Sequence, residues 1–185
     1  MDRRERAFEA YLVSLARSGD RRAVGQLVAL RGPRLFSHAV RLLREVDGAQ
    51  DVTQDAWAEI LKGLPRLRDE AAFLPWALRI VTRRVALEIK QRQRGRTLSD
   101  AYAQEAPTTT PEAGPERVDA AKIRAAIKTL PPEQGAAIAL FYLEDLSVAD
   151  VAMALDVPIG TIKTRLMHAR RKLRDHLEGE TNGQA

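Results

Sequence analysis

Cysteine is absent from the chain, aromatic residues fill only 5% of its 185 positions, and no apolar run approaches the length of a membrane span. The first absence excludes disulfides and thiolate metal sites, and nothing points to an oxidising compartment. The last excludes a spanning helix. The opening MDRRERAFEAYLVSLARSGD has no uninterrupted apolar stretch, so no secretory leader is expected and a cytoplasmic location is. Histidine is scarce too, with His38, His168 and His176 far apart in sequence, and no nucleophile–base pair or metal cluster can be assembled from them. We expect no catalysis, no cofactor and no metal. Runs of alternating β-branched residues are also missing, which leaves an all-α chain of two small helical domains.

Cations are plentiful. Lys and Arg number 30 against 25 acidic residues, giving a net charge of +5 that favours anionic partners. Their distribution says more. The stretch SVADVAMALDVPIGTIKTRLMHARRKLRDHL, residues 147–177, reads as a helix, a tight turn and a second helix. Ser147 with Asp150 forms a near capping box, Asp156 suits a left-handed bend, and Pro158 suits the start of the next helix. On a helical wheel Leu166, Ala169, Leu173 and Leu177 fall within about 60° of Ile162, a core-facing stripe. The rest of that helix carries Lys163, Arg165, Arg170, Arg171, Lys172 and Arg174 with no acid between 163 and 174. A helix-turn-helix with so basic a second helix fits a DNA major groove, the alternative being a merely solvated face.

The N-terminal half divides into four helices. Residues 3–17 place Phe8, Tyr11, Leu12 and Leu15 on one side; Asp20 caps a second helix that Pro33 should kink or break. Ala49 opens a third, with Val52, Ala56, Ile60 and Leu61 inward and Gln50, Asp51, Gln54, Asp55 and Glu59 outward. Acids spaced every four residues repel by a few tenths of a kcal/mol, roughly, which suggests a positive partner. A fourth helix takes Phe73, Trp76, Ile80, Leu87 and Leu78 as its apolar set, and Pro75 leaves open whether it starts near Trp76 or with a distorted turn. Its end is basic, with a net of +5 over 83–96. That charge suits a phosphate backbone.

Residues 97–117 hold three prolines and four threonines and read as a flexible acidic linker. The boundaries follow: a first domain at 1–96, the linker at 97–117, a helix-turn-helix domain at 118–178 and a disordered tail at 179–185. Gly135, inside an apolar helix, costs roughly 1 kcal/mol relative to Ala, which points to a close packing contact or to simple tolerance.

Two stretches resemble one family. ARSGDRRAVGQLVALRGPRLFSHAVRLLREVDGAQDVTQDAWAEILKGLPRLR with FLPWALRIVTRRVALEIKQRQR resembles the second conserved region of bacterial sigma factors, and LPPEQGAAIALFYLEDLSVADVAMALDVPIGTIKTRLMHARRKLRDHL resembles the fourth. Separated only by a linker, they resemble the extracytoplasmic-function (ECF) group. The resemblance implies a factor that binds core RNA polymerase and directs it to promoters. It implies docking on polymerase by Asp51, Gln54, Asp55 and Glu59. The loop with Arg66 and Arg68 and the helix with Phe73, Trp76, Arg79, Arg83, Arg84 and Lys90 match the segment that captures the unpaired strand of the proximal promoter element. Lys163, Thr164, Met167 and His168 match the readers of the double-stranded distal element, with Thr161, Arg165, Arg170 and Arg171 on phosphate. The family often carries Asn near Arg83 and Arg near His168, where this chain departs from it. An anti-sigma factor is a further expected partner. Two other readings compete: a sigma mimic that sequesters an anti-sigma factor, for which dense basic faces have little use, and a LuxR-type regulator, which needs a sensor domain that residues 1–96 do not resemble.

Overall fold

A computed structural model describes the backbone of residues 3–98 and 125–182, all of it helix, turn or coil with no strand among the described residues. The all-α expectation holds. The linker read at 97–117 lies outside the described residues beyond its first two positions, and the last helix runs on to Asn182, into the stretch expected to be disordered.

The first unit is four helices: α1 (Arg3–Arg17), α2 (Arg21–Leu43), α3 (Asp47–Gly63) and α4 (Phe73–Leu98). Asp20 caps α2 by accepting from the Arg22 and Ala23 amides at 2.8 and 3.2 Å. At its other end Arg44 turns left-handed and donates its amide to the Val40 carbonyl at 2.8 Å. Pro33 does not break α2. Its missing amide frees the carbonyl one turn back at Ala29, and both residues are exposed, so the freed carbonyl is not shut away from solvent. Pro75 sits at the third position of α4, where a helix has no amide bond to lose. The helix thus starts three residues before Trp76, after a short 3-10 turn capped by Asp69.

Several inward assignments are corrected. Phe8 and Tyr11 are 49% and 59% exposed, because α1 buries Leu12, Val13, Ala16 and, unexpectedly, Glu9. A buried carboxylate rotates the inner stripe away from the aromatics. Leu61 and Leu87 are exposed as well, while Leu74, Ala77, Leu78, Val81 and Val85 form the inner face of α4. The third helix begins at Asp47, before Ala49.

Besides Thr53, whose hydroxyl donates to the Ala49 carbonyl, two buried polar groups stand inside this unit. Arg31 is 0% and Glu9 2% exposed; they pair directly, and Glu5 adds a second carboxylate to Arg31 at 2.7 Å. Burial raises the Glu9 carboxyl above its ordinary range even against the attraction of Arg31. His38 is the other. Burial, with the Arg41 charge as the lesser cause, lowers its imidazole from 6.5 to about 3.

The second unit contains a helical stretch at 125–129, then α5 (Pro132–Tyr142), α6 (Val148–Leu155) and α7 (Ile159–Asn182). Gly135 makes the close packing contact: a Cβ there would sit 3.2 Å from the Ile127 carbonyl oxygen. Leu130, Leu140, Val151, Ile162, Leu166 and Ala169 close the core.

The two units pack together, with α6 against α4 and α5 against α2. Thr82 donates its hydroxyl to the Ala154 carbonyl at 2.7 Å, and that carbonyl belongs to the last turn of α6, where no intrahelical partner exists. With the Thr82 proton used there, His38 Nε2, 2.9 Å away, is the donor to Thr82 Oγ1 and its Nδ1 is left without a partner. Around this relay the charges are sorted by unit. Arg6 meets Asp145 at 3.1 Å, Arg34 meets Glu144 at 3.2 Å, Arg79 meets Asp156 at 2.8 Å, and Arg44 donates to the Lys128 and Leu130 carbonyls. Every cation in these pairs comes from the first unit.

The His38 shift has a sign that can be tested. The unfolded chain takes up a proton near pH 6.5 while the folded chain stays neutral to about 3, so stability is full above 6.5 and falls as the pH drops through that window. Between pH 7 and 5, His38→Gln is expected to lose less stability than the parent chain, the difference approaching about 1.4 kcal/mol per unit below 6.5. Urea unfolding at both pH values measures it; parallel losses would remove His38 as the cause.

Candidate nucleic-acid interface

The helix-turn-helix is built from its caps upward. Ser147 Oγ accepts from the Asp150 amide at 3.1 Å and Asp150 Oδ2 accepts from the Ser147 amide at 3.3 Å, so the capping box is complete with Asp in place of Glu. Asp156 adopts φ 54° and ψ 45°, the left-handed bend that ends α6. The Pro158 carbonyl then accepts from the Thr161 and Ile162 amides at 3.0 and 3.3 Å, and α7 begins.

Burial of Ile162, Leu166 and Ala169 fixes which side of α7 faces out. Lys163, Thr164, Met167, Arg170, Arg171, Lys172 and Arg174 are exposed, Met167 at 58%, while Thr161, Arg165 and His168 are half-buried. Thr164 donates its hydroxyl to the Gly160 carbonyl at 3.1 Å, so its oxygen faces outward chiefly as an acceptor. Arg165 pairs with Glu133 of α5. Arg170 donates through Nε to the Tyr142 hydroxyl at 2.9 Å, and its guanidinium carbon lies 5.6 Å from the Tyr142 ring centre and 5.9 Å from that of Phe141. Neither Glu133 nor Tyr142 is among the residues expected from sequence. Each lies about thirty positions from its arginine, and no local pattern links them.

The proximal group is divided by the fold. Arg66, Arg68, Arg83 and Lys90 are exposed. Phe73 is a correction: at 0% exposed its ring is core and offers no face to a base. Trp76 is half-buried, 6.1 Å from Phe73 at 55° between planes, and lies over Gly63, where a Cβ would approach its Cζ2 to 3.0 Å. Arg79 is taken up by Asp156 of the turn. Arg84 turns toward α3, with Glu59 at 2.8 Å and Asp55 at 3.5 Å.

That pairing changes the reading of the acidic helix. Asp51, Gln54 and Asp55 are exposed along one face of α3, and Arg84 supplies part of the positive partner that their spacing suggested. No ion pair among the described residues reaches Asp51. The three carboxylates are thus unequal, one fully available and two shared. Among the described residues no group of three His, Asp or Glu could hold a metal, and no helix is long and apolar enough to cross a membrane.

Comparison with known proteins places both halves. The family model for sigma-70 region 2 matches residues 27–95, and that for sigma-70 region 4 matches residues 120–173. The ECF RNA polymerase sigma factor SigM of Mycobacterium tuberculosis is 31% identical over 173 residues, covering 92% of this chain and 85% of that protein. The RNA polymerase sigma-H factor of Pseudomonas aeruginosa is 28% identical over 173 residues, covering 88% and 90%. Among solved structures, the sigma factor RpoE of Bartonella quintana, in complex with the anti-sigma factor NepR, superposes with a TM-score of 0.70 at 26% identity, over 83% of this chain and 96% of that one.

Proposed function

This chain belongs to the sigma-70 family, in its extracytoplasmic-function group, and we propose that it holds a promoter at two places while docked on polymerase through α3. It is a transcription initiation factor that directs RNA polymerase to promoters. The observation that carries the site assignment is the outer face of α7, where Lys163, Thr164 and Met167 stand exposed opposite a fully buried stripe.

On this reading the N-terminal part of α7 enters the major groove of the distal element. Lys163 donates to purine acceptors, the Thr164 oxygen accepts, Met167 lies against thymine methyls, and His168 reaches from the edge. Thr161, Arg165, Arg170 and Arg171 hold phosphates. Residues 118–178 form this grip and residues 1–96 the other. In the first unit Arg66, Arg68, Trp76, Arg83 and Lys90 flank the unpaired strand, with Arg79 joining once Asp156 is displaced. Trp76 presents one ring edge rather than a full face. Phe73 serves by packing beneath it. Asp51, Gln54 and Asp55, with Glu59 at the margin, take the basic surface of polymerase. The factor acts without catalysis of its own, in the cytoplasm, under an anti-sigma factor.

Run-off transcription with purified core polymerase, followed by mapping of start sites, tests the whole assignment; failure to direct initiation at discrete sites would end it. Lys163→Ala or His168→Ala is expected to weaken specific promoter binding by about 1–3 kcal/mol while polymerase association persists. Unchanged promoter choice in both variants would move the readers elsewhere.

A further inference from the structure

Arg170 is held in a way that its neighbours on α7 are not. Lys163, Met167, Arg170 and Arg174 fall within about 60° on the helical wheel, so one stripe runs from the reading end of the helix toward its C-terminal part. Recognition helices meet base edges with their N-terminal residues, and side chains farther along meet the backbone as the helix leaves the groove. Arg170 stands at that transition.

Its guanidinium is fixed from another helix. Nε donates to the Tyr142 hydroxyl at 2.9 Å, and the same group packs within 6 Å of two aromatic rings. Those rings brace one another edge to face, 4.9 Å between centres at 84°. Phe141, half-buried, rests on the core and carries the bracing inward. The chemistry of the fork makes this arrangement directional. A guanidinium has five N–H donors, and spending the one on Nε leaves the four on Nη1 and Nη2, the edge that grips a phosphate bidentately. The Tyr142 oxygen accepts from Nε, and this bond leaves the Nη edge uncommitted.

We propose that Tyr142 is a positioning residue of the distal grip, setting the Arg170 fork so that its Nη edge meets a DNA phosphate without first losing rotamer freedom. The proposal rests on the reading of α7 as the duplex-binding helix and adds a residue of α5 to it. The phenol, rather than the ring, makes the difference. Tyr142→Phe keeps the stacking and the edge-to-face pair but removes the acceptor that orients Nε.

The test uses the full chain and a fluorescent random-sequence duplex of about 30 base pairs, with affinity followed between roughly 50 and 200 mM salt, since phosphate contacts dominate such binding. Arg170→Ala should weaken binding about tenfold and lower the slope of log K against log salt by about 1. Tyr142→Phe should weaken it about threefold with an unchanged thermal midpoint, and in the Arg170→Ala background should have no further effect. Additive losses in the double variant overturn the positioning role while leaving the phosphate contact standing. A gain in affinity for Tyr142→Phe also overturns it, since the tyrosine would then be withholding the arginine. An Arg170→Ala chain that binds as the parent does removes the contact and the proposal together. No binding by the parent at the lowest salt overturns both this proposal and the duplex-binding reading.

Discussion

Glu9→Leu is expected to lower the free energy of unfolding by about 3–5 kcal/mol, because it leaves the Arg31 charge buried without the carboxylate enclosed beside it. Arg31 is wholly enclosed between α1 and α2, and Glu9 is nearly so. Glu5, which stays beside it at 2.7 Å, is partly open to water. The magnitude comes from desolvation. A guanidinium without its partner keeps the cost of leaving water and loses the attraction that offset it. The raised Glu9 carboxyl shows the same balance from the other side, since burial there outweighs the pull of Arg31. Urea unfolding at neutral pH measures the loss. Glu9→Leu with Arg31→Leu should recover most of it, since apolar residues in place of a whole buried pair are often neutral. A double variant as unstable as the single one would show that the loss comes from packing.

Asp51→Arg with Asp55→Arg is expected to abolish co-purification with core polymerase. Two carboxylates become two cations, a change of four charges on one exposed helix face, and a basic partner that was attracted is then repelled. The two positions are not equivalent. Asp55 shares Arg84 at 3.5 Å, so reversing it also places a cation beside Arg84, whereas Asp51 carries no such internal cost. Asp51→Arg alone should therefore weaken polymerase binding without moving the thermal midpoint. Retained co-purification in the double variant would place the docking surface elsewhere, and a lowered midpoint in the Asp51 variant would show that the loss is one of folding.

The sequence was most legible where local chemistry decides structure. Ser147, Asp150, Asp156 and Pro158 announce a cap, a bend and a helix start from residue type alone, and the Ile162–Leu166–Ala169 stripe fixes the outer face of α7 by periodicity. Legibility ended where distant residues meet. Glu9 reads as a surface acid on α1 until Arg31 of α2 is seen beside it, on the face that leaves Phe8 and Tyr11 outside. Phe73 and Trp76 look alike as aromatics at helical spacing, yet the first is enclosed and the second half open, a difference set by Gly63 and the turn before α4. Arg84 reads as part of a basic run, but its rotamer is chosen by two acids on α3. Tyr142 and Glu133 carry no signal at all, because their roles come from arginines on another helix.

The sorting of charge between the two units has a consequence for how binding to DNA must be read. Where Arg79 meets Asp156, the chain supplies the arginine with its own counter-ion. A phosphate arriving there performs an ion exchange, trading one tethered anion for another, and displaces fewer free salt ions than it would from a bare cation. On the proposed reading of the first unit, titrations against ionic strength should then register fewer contacts than it would make. The shortfall is itself a gauge of how far the seam has come apart.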